Sequence, residues 1–176
     1  MRKLLLKLYK EGHKNFVLSG SRNPSNSYEH VFERYDFPYT ADSVKEVFRS
    51  VNPDVTIVLG AFDSNFHEKD SKKEAVAYTA GLQNILLSWA AIDKGRLIYL
   101  SSVEVYGSSY QAPVTEAVSP VPFGIRATTL LQAEESCKFY KERLRKDVVV
   151  LRLDKIYDVP RNKDDALLGI CEAKCL

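Results

Sequence analysis

Cysteine is scarce in this chain, with three in 176 residues, and tryptophan and methionine occur once each. Cys137, Cys171 and Cys175 form no disulfide-rich pattern and fit a reduced compartment. Cys171 and Cys175 stand four apart, a spacing that shares a helix face. Structural zinc takes four protein ligands, however, and no histidine lies near them, so no metal site is expected. His13, His30 and His67 are scattered and have no partner at metal or triad spacing. An excess of either charge is also missing: 25 Lys and Arg face 23 Asp and Glu, for a net +2. No basic stripe alternates with aromatics, which argues against nucleic acid and anionic membrane as partners. No apolar run approaches the roughly 20 residues that span a bilayer. The segment Met1 to Gly12 carries too many charges for a signal-peptide core, so a cytoplasmic location is expected.

What is present is ordinary globular composition, 45% hydrophobic and 27% charged, enough for one domain with its own core. No repeat or low-complexity linker divides it, so residues 1–176 are read as a single domain. Helical and strand patterns alternate, the mark of a parallel sheet with crossover helices. A helix is expected over 2–11, with leucines on one side, and a strand over 15–18. A Gly/Pro/Asn-bearing loop covers 19–27, and an extended piece covers 35–39. Val44, Val47, Phe48 and Val51 repeat at helical spacing, so a helix capped by Asp42 or Ser43 runs to Val51. Asn52-Pro53-Asp54 stops it, and a strand follows over 55–59. Helices are expected over 72–92 and 124–145, and strands over 97–100 and 148–153. The tail 154–176 reads as charged loop.

The most telling stretch is Arg96-Leu-Ile-Tyr-Leu-Ser-Ser-Val-Glu-Val-Tyr-Gly107. A short apolar run suited to a strand covered on both faces ends in Ser101 and Ser102. Open α/β sheets place ligands at that carboxyl end. With its flanks, this segment resembles the extended branch of the short-chain dehydrogenase/reductase superfamily, the NAD(P)-dependent sugar-nucleotide epimerases and dehydratases. The likeness runs from about residue 4 to 160. It includes Leu8 to Lys14, Val51 to Ala61, Gly81 to Leu87, Pro113 to Glu116, Ala133-Glu134, and Asp147 to Leu153 with Tyr157. It implies a Rossmann-like three-layer α/β domain with a parallel sheet, NAD or NADP as cofactor, a nucleotide-sugar as substrate, and a possible homodimer through helices 72–92 and 124–145.

The sequence departs from the family in three places. The family begins with a strand and a Gly-x-x-Gly-x-x-Gly turn, which brings backbone and a helix N-terminus against a pyrophosphate. The eight glycines here lie at 12, 20, 60, 81, 95, 107, 124 and 169, and no two are three apart. The first strand and glycine-rich loop are therefore read as missing, which leaves a gap between strands 15–18 and 55–59. A truncated gene is the most economical cause, and no dinucleotide binding by this chain is expected. Second, the family places a catalytic tyrosine and lysine four apart on one helix, the lysine lowering the tyrosine's pKa. None of the ten tyrosines has a lysine at i+4. Phe123 and Ala127 occupy the usual positions, with Arg126 one residue out of register. Third, the chain stops at Leu176, short of the family's sugar-nucleotide pocket, and Asp158 replaces the glycine of the expected Tyr-Gly-Pro turn.

The resemblance also nominates residues. Ser102 matches the hydroxyl that meets the substrate oxygen, although a strand-end serine also caps turns. Ser101 belongs beside it, structurally or against the cofactor. Ser21 and Arg22 follow the second strand without an acid, which leans towards the 2′-phosphate of NADP. Asp36 is placed to reach the adenine, and Gly60 and Ala61 to let the cofactor pass close to a strand. Tyr78 stands where family members often carry asparagine, and Tyr106 reads as a substrate-side or loop-packing residue. Trp89 and the leucines of 82–87 are expected in the core, and Lys141 to Lys146 as a solvated helix end. Two functions follow: an NAD(P)-dependent epimerase/dehydratase-like protein of doubtful activity, or a non-catalytic binding or regulatory module.

Overall fold

The computed structural model describes residues 10–11, 17–19, 33–35, 40–59, 71–107 and 113–154. The expected helix 2–11 lies almost wholly outside them, as do Asp158, Tyr157, Cys171 and Cys175. Five strands and three longer helices follow in order. They are β1 (Val17–Ser19), β2 (Glu33–Tyr35), α1 (Ala41–Val51), β3 (Val55–Leu59), α2 (Ser71–Ala90), β4 (Arg96–Ser102), α3 (Gly124–Arg143) and β5 (Val148–Leu153). A 3-10 turn, Val103–Tyr106, follows β4 directly.

All ladders are parallel. β1 pairs with β2, and β3, β4 and β5 form a second sheet in that order. Among the described residues no strand joins the β1–β2 pair to the sheet of β3, β4 and β5. The helical crossovers linking β3 to β4 and β4 to β5 are those of an open α/β fold. Among the described residues no helix is long and apolar enough to cross a membrane.

Packing explains the pattern. Leu97 and Tyr99 on β4 and Val148 on β5 point to one face and are buried against α2 and α3. From α2 come Leu82, Leu86 and Trp89, at i, i+4 and i+7; from α3 come Leu130, Ala133, Cys137 and Tyr140. Val44 and Phe48 carry α1 into the same core. Fully burying side chains of this size contributes about 1.5–3 kcal/mol each, so this face dominates the fold. Gln83 Nε2 donates to Ser136 Oγ at 2.9 Å and fixes the register of α2 on α3. Alternation sends Ile98, Leu100 and Ser102 to the opposite face, where they are only half-buried.

Several expectations shift. The cap of α1 is Thr40, whose Oγ1 accepts from Ser43 N at 3.4 Å, and not Asp42 or Ser43. Leu87 is 60% exposed, turned away from the stripe of Leu82, Leu86 and Trp89. Lys146 is not simply solvated: its Nζ donates to Ile92 O at 2.7 Å and lies 6.0 Å from the Trp89 ring centroid. Strand β4 extends to Ser102, so both serines belong to the strand itself.

Candidate functional site

The carboxyl ends of β4 and β5 bring together a group of polar side chains, Ser101, Ser102, Glu134, Arg152 and Tyr106. Period-two alternation turns the two serines to opposite faces. Ser102 is half-buried, and its Oγ accepts from Glu104 N at 3.2 Å, capping the 3-10 turn. Its hydroxyl hydrogen remains available to a ligand oxygen. The capping role and the site role are thus compatible. Gly107 closes the turn at φ +76°, and its N donates to Glu104 O at 3.0 Å. A Cβ there would overlap the Val121 carbonyl oxygen, so glycine lets the segment before α3 lie against the turn.

Ser101 is buried on the helix face and donates from Oγ to Glu134 Oε1 at 2.5 Å. Glu134, 6% exposed on α3, also meets Arg152 of β5. The Arg152 Nη2 donates to Glu134 Oε2 at 2.7 Å, and Nε spans both oxygens at 3.0 and 3.2 Å. Nη1 donates to the Tyr106 hydroxyl at 2.6 Å, with the guanidinium carbon 4.7 Å from the Tyr106 ring centroid. The hydrogen bonds to Glu134 raise the Arg152 pKa further above its ordinary value, outweighing burial. Tyr106 is therefore a loop-packing residue, and its hydroxyl donates in turn to Thr115 O at 3.3 Å.

Beneath this network lie Tyr99, Tyr78 and Cys137. The Tyr78 and Tyr99 hydroxyls are 2.6 Å apart. Burial pushes the Tyr78 phenol up to about 12 and the Cys137 thiol up to about 12, and drives Tyr99 higher still. Burial thus favours the neutral form of all three groups.

Helix α3 begins beside the turn. Phe123 is its N-cap, makes no side-chain cap bond and is 84% exposed, while Ala127, one turn later, is buried. Between them, Arg126 reaches Glu104 Oε2 at 3.2 Å. Neither Phe123 nor Ala127 can move a proton. The structure thus joins Ser101, Ser102 and the start of α3, while Ser21, Arg22, Asp36, Gly60 and Ala61 lie outside the described residues.

A dinucleotide needs backbone amides around its pyrophosphate. Among the described residues the positive-φ glycines are Gly95, Gly107 and Gly124. Carbonyls of Pro53 and Val121 fill the approaches to the first two, and nothing lies within 4 Å at the third. These three glycines are too far apart in the chain to form one glycine-rich turn. No group of three or more metal-ligating side chains occurs among them either.

Sequence reasoning missed the central pair. Glu134 falls on the apolar stripe of Leu130, Ala133 and Cys137, and Arg152 interrupts the run Val148 to Leu153. An acid and a base, each alone in an apolar pattern on neighbouring elements, were the available signal.

Comparison with known proteins gives a consistent picture. The model of the NAD dependent epimerase/dehydratase family matches residues 2–166. No curated protein matches the sequence. UDP-glucose 4-epimerase from Thermotoga maritima, solved with UDP-glucose, superposes with a TM-score of 0.81 at 14% identity, covering 97% of this chain and 58% of its own. UDP-glucuronic acid 4-epimerase from Bacillus cereus, solved with NAD, gives 0.75 at 20% identity, covering 99% and 59%. A monomeric L-threonine 3-dehydrogenase from a metagenome gives 0.74 at 20% identity, covering 86% and 49%. The chain spans about half the length of the structures it matches. The Rossmann-like α/β fold is shared with all three.

Proposed function

This chain belongs to the NAD dependent epimerase/dehydratase family, and from that premise we propose that it carries the substrate side of a nucleotide-sugar site without the family's proton shuttle. The observation behind this reading is the pairing of Ser102, at the outlet of β4, with Phe123 and Ala127 at the start of α3. A hydroxyl remains for a sugar oxygen. The tyrosine that would exchange a proton, and the lysine that would lower its pKa, are replaced by groups that do neither. The relatives solved with UDP-glucose and with NAD support a nucleotide-sugar as ligand and NAD(P) as the family's cofactor. The candidate cofactor positions Ser21, Arg22, Asp36, Gly60 and Ala61 lie outside the described residues. Arg22, outside those residues, favours NADP over NAD where a dinucleotide is held.

The second reading, a binding or regulatory module without turnover, is favoured by the exposed Phe123, which offers a ring where the family needs a hydroxyl. Calorimetry with UDP-glucose, NAD and NADP on the 176-residue chain separates the possibilities. UDP-glucose binding that weakens at least tenfold in Ser102→Ala, with no heat from either dinucleotide, supports the substrate-side reading. A saturable signal with NAD or NADP would refute the missing cradle. Phe123→Tyr combined with Ala127→Lys is expected to give no turnover, and its appearance would sink the reading.

A homodimer through α2 and α3 fits an open groove of about 560 Å³ between them, lined by Gln83, Leu131, Gln132 and Phe139, and the half-exposed Phe139 ring. Sedimentation of wild type against Phe139→Glu tests it. The free, buried Cys137 accords with a reducing, cytoplasmic setting.

A further inference from the structure

We infer that Arg152 is a positioning residue that, by joining Glu134 on α3 to Tyr106 in the 3-10 turn, fixes the backbone presenting the Ser102 hydroxyl. The inference deepens the proposed function, since it rests on Ser102 being the hydroxyl that meets the ligand.

A buried ion pair is poorly explained by stability alone, because apolar replacements of similar volume are often neutral or stabilising. Conformational specificity is the alternative, and here the geometry identifies what is specified. The guanidinium uses Nε and Nη2 on Glu134 and Nη1 on the Tyr106 hydroxyl, so its plane is fixed from two elements at once. Glu134 simultaneously takes the hydrogen of Ser101, the residue immediately before Ser102. Tyr106 ends the turn that Ser102 caps. The backbone of Ser102 is thereby held on both sides along the chain, by Glu134 through Ser101 and by Arg152 through Tyr106. One side chain on β5 couples the two grips. A bidentate fork is needed for this, since a point charge would satisfy Glu134 without fixing the plane.

Two amides report the turn directly: Glu104 N, which donates to Ser102 Oγ, and Gly107 N, which donates to Glu104 O. Their exchange with solvent, read residue by residue by NMR on the 176-residue chain, is the test. The double variant Arg152→Met, Glu134→Gln removes both charges while leaving Ser101 an acceptor. Exchange at Glu104 and Gly107 is expected to rise at least tenfold, with Ile98 and Leu100 in the middle of β4 within twofold of wild type. Arg152→Lys, which keeps the charge without the fork, is expected to release the same two amides at least threefold. Exchange at Glu104 and Gly107 within twofold of wild type in the folded double variant would overturn the proposal. So would an equal rise at Ile98 and Leu100, which would make the network a general stabiliser. Should the double variant fail to fold, Tyr106→Phe keeps the ring, loses the acceptor for Nη1 and is judged by the same criterion. UDP-glucose calorimetry on the same proteins keeps the two claims apart. A wild type that does not bind it counts against Ser102 as a ligand group, while the exchange rates still decide the grip on the turn.

Discussion

The two ends of β4 use the same chemistry to opposite effect. At the amino end Arg96 Nε meets Asp147 Oδ2 at 2.8 Å, with both side chains 54% exposed. At the carboxyl end Arg152 meets Glu134 at 2.7 Å, with side chains 23% and 6% exposed. Each end also has a positive-φ glycine under a carbonyl, Gly95 beneath Pro53 and Gly107 beneath Val121. Water screens the first pair and gives it little consequence, whereas withdrawal from water makes each member of the second depend on the other. The end proposed to face a ligand is the end where the charges are enclosed.

Breaking the enclosed pair should have the largest effect. Arg152→Ala strands a buried carboxylate and is expected to cost about 3–5 kcal/mol in urea unfolding. The glycines come next. Gly107→Ala and Gly95→Ala should each cost more than about 1 kcal/mol, because alanine resists positive φ. Gly107 should lose more, since its added Cβ overlaps Val121 O, whereas that of Gly95 stands 2.7 Å from Pro53 O. Comparing midpoints of the two variants at constant m-value checks the order.

Alkaline titration sharpens the contrast further. Burial raises the Cys137 thiol from 9.0 to about 12, so the folded state holds its proton where the unfolded chain has released it. The stability tied to that neutral thiol is complete below pH 9 and is lost as pH rises towards 12. Melting temperature should fall between pH 9 and 11, and Cys137→Ala should flatten the decline. The smallest effect belongs to Arg96→Ala, expected within about 1 kcal/mol of wild type. A loss comparable to that of Arg152→Ala would erase the distinction between the two ends.

The sheet was largely legible. Strands 55–59 and 148–153 match their expected limits because each is a largely apolar run rich in β-branched residues and flanked by Asp or Gly. The cap of α1 was ambiguous because Thr40, Asp42 and Ser43 all offer a side-chain oxygen within one turn, and only backbone direction selects Thr40. Leu82 to Leu87 is too uniformly apolar to reveal which leucine faces out. The candidate site was nominated in part by the family resemblance. Ser102, Phe123 and Ala127 were nominated because each aligns with a family position. The link between Glu134 and Arg152 arises from residues 18 apart that meet only after β5 aligns beside β4. Local pattern contains no term for such a meeting.

Trp89, the sole tryptophan, projects from α2 into the core, fully enclosed and edge-on to Tyr140 of α3 at 6.3 Å. Its intrinsic emission is therefore a label-free reporter for this domain, short in wavelength while the indole is dry and red-shifted once solvent reaches it. Every substitution above can be followed optically through that one chromophore, without attaching a dye or altering another position.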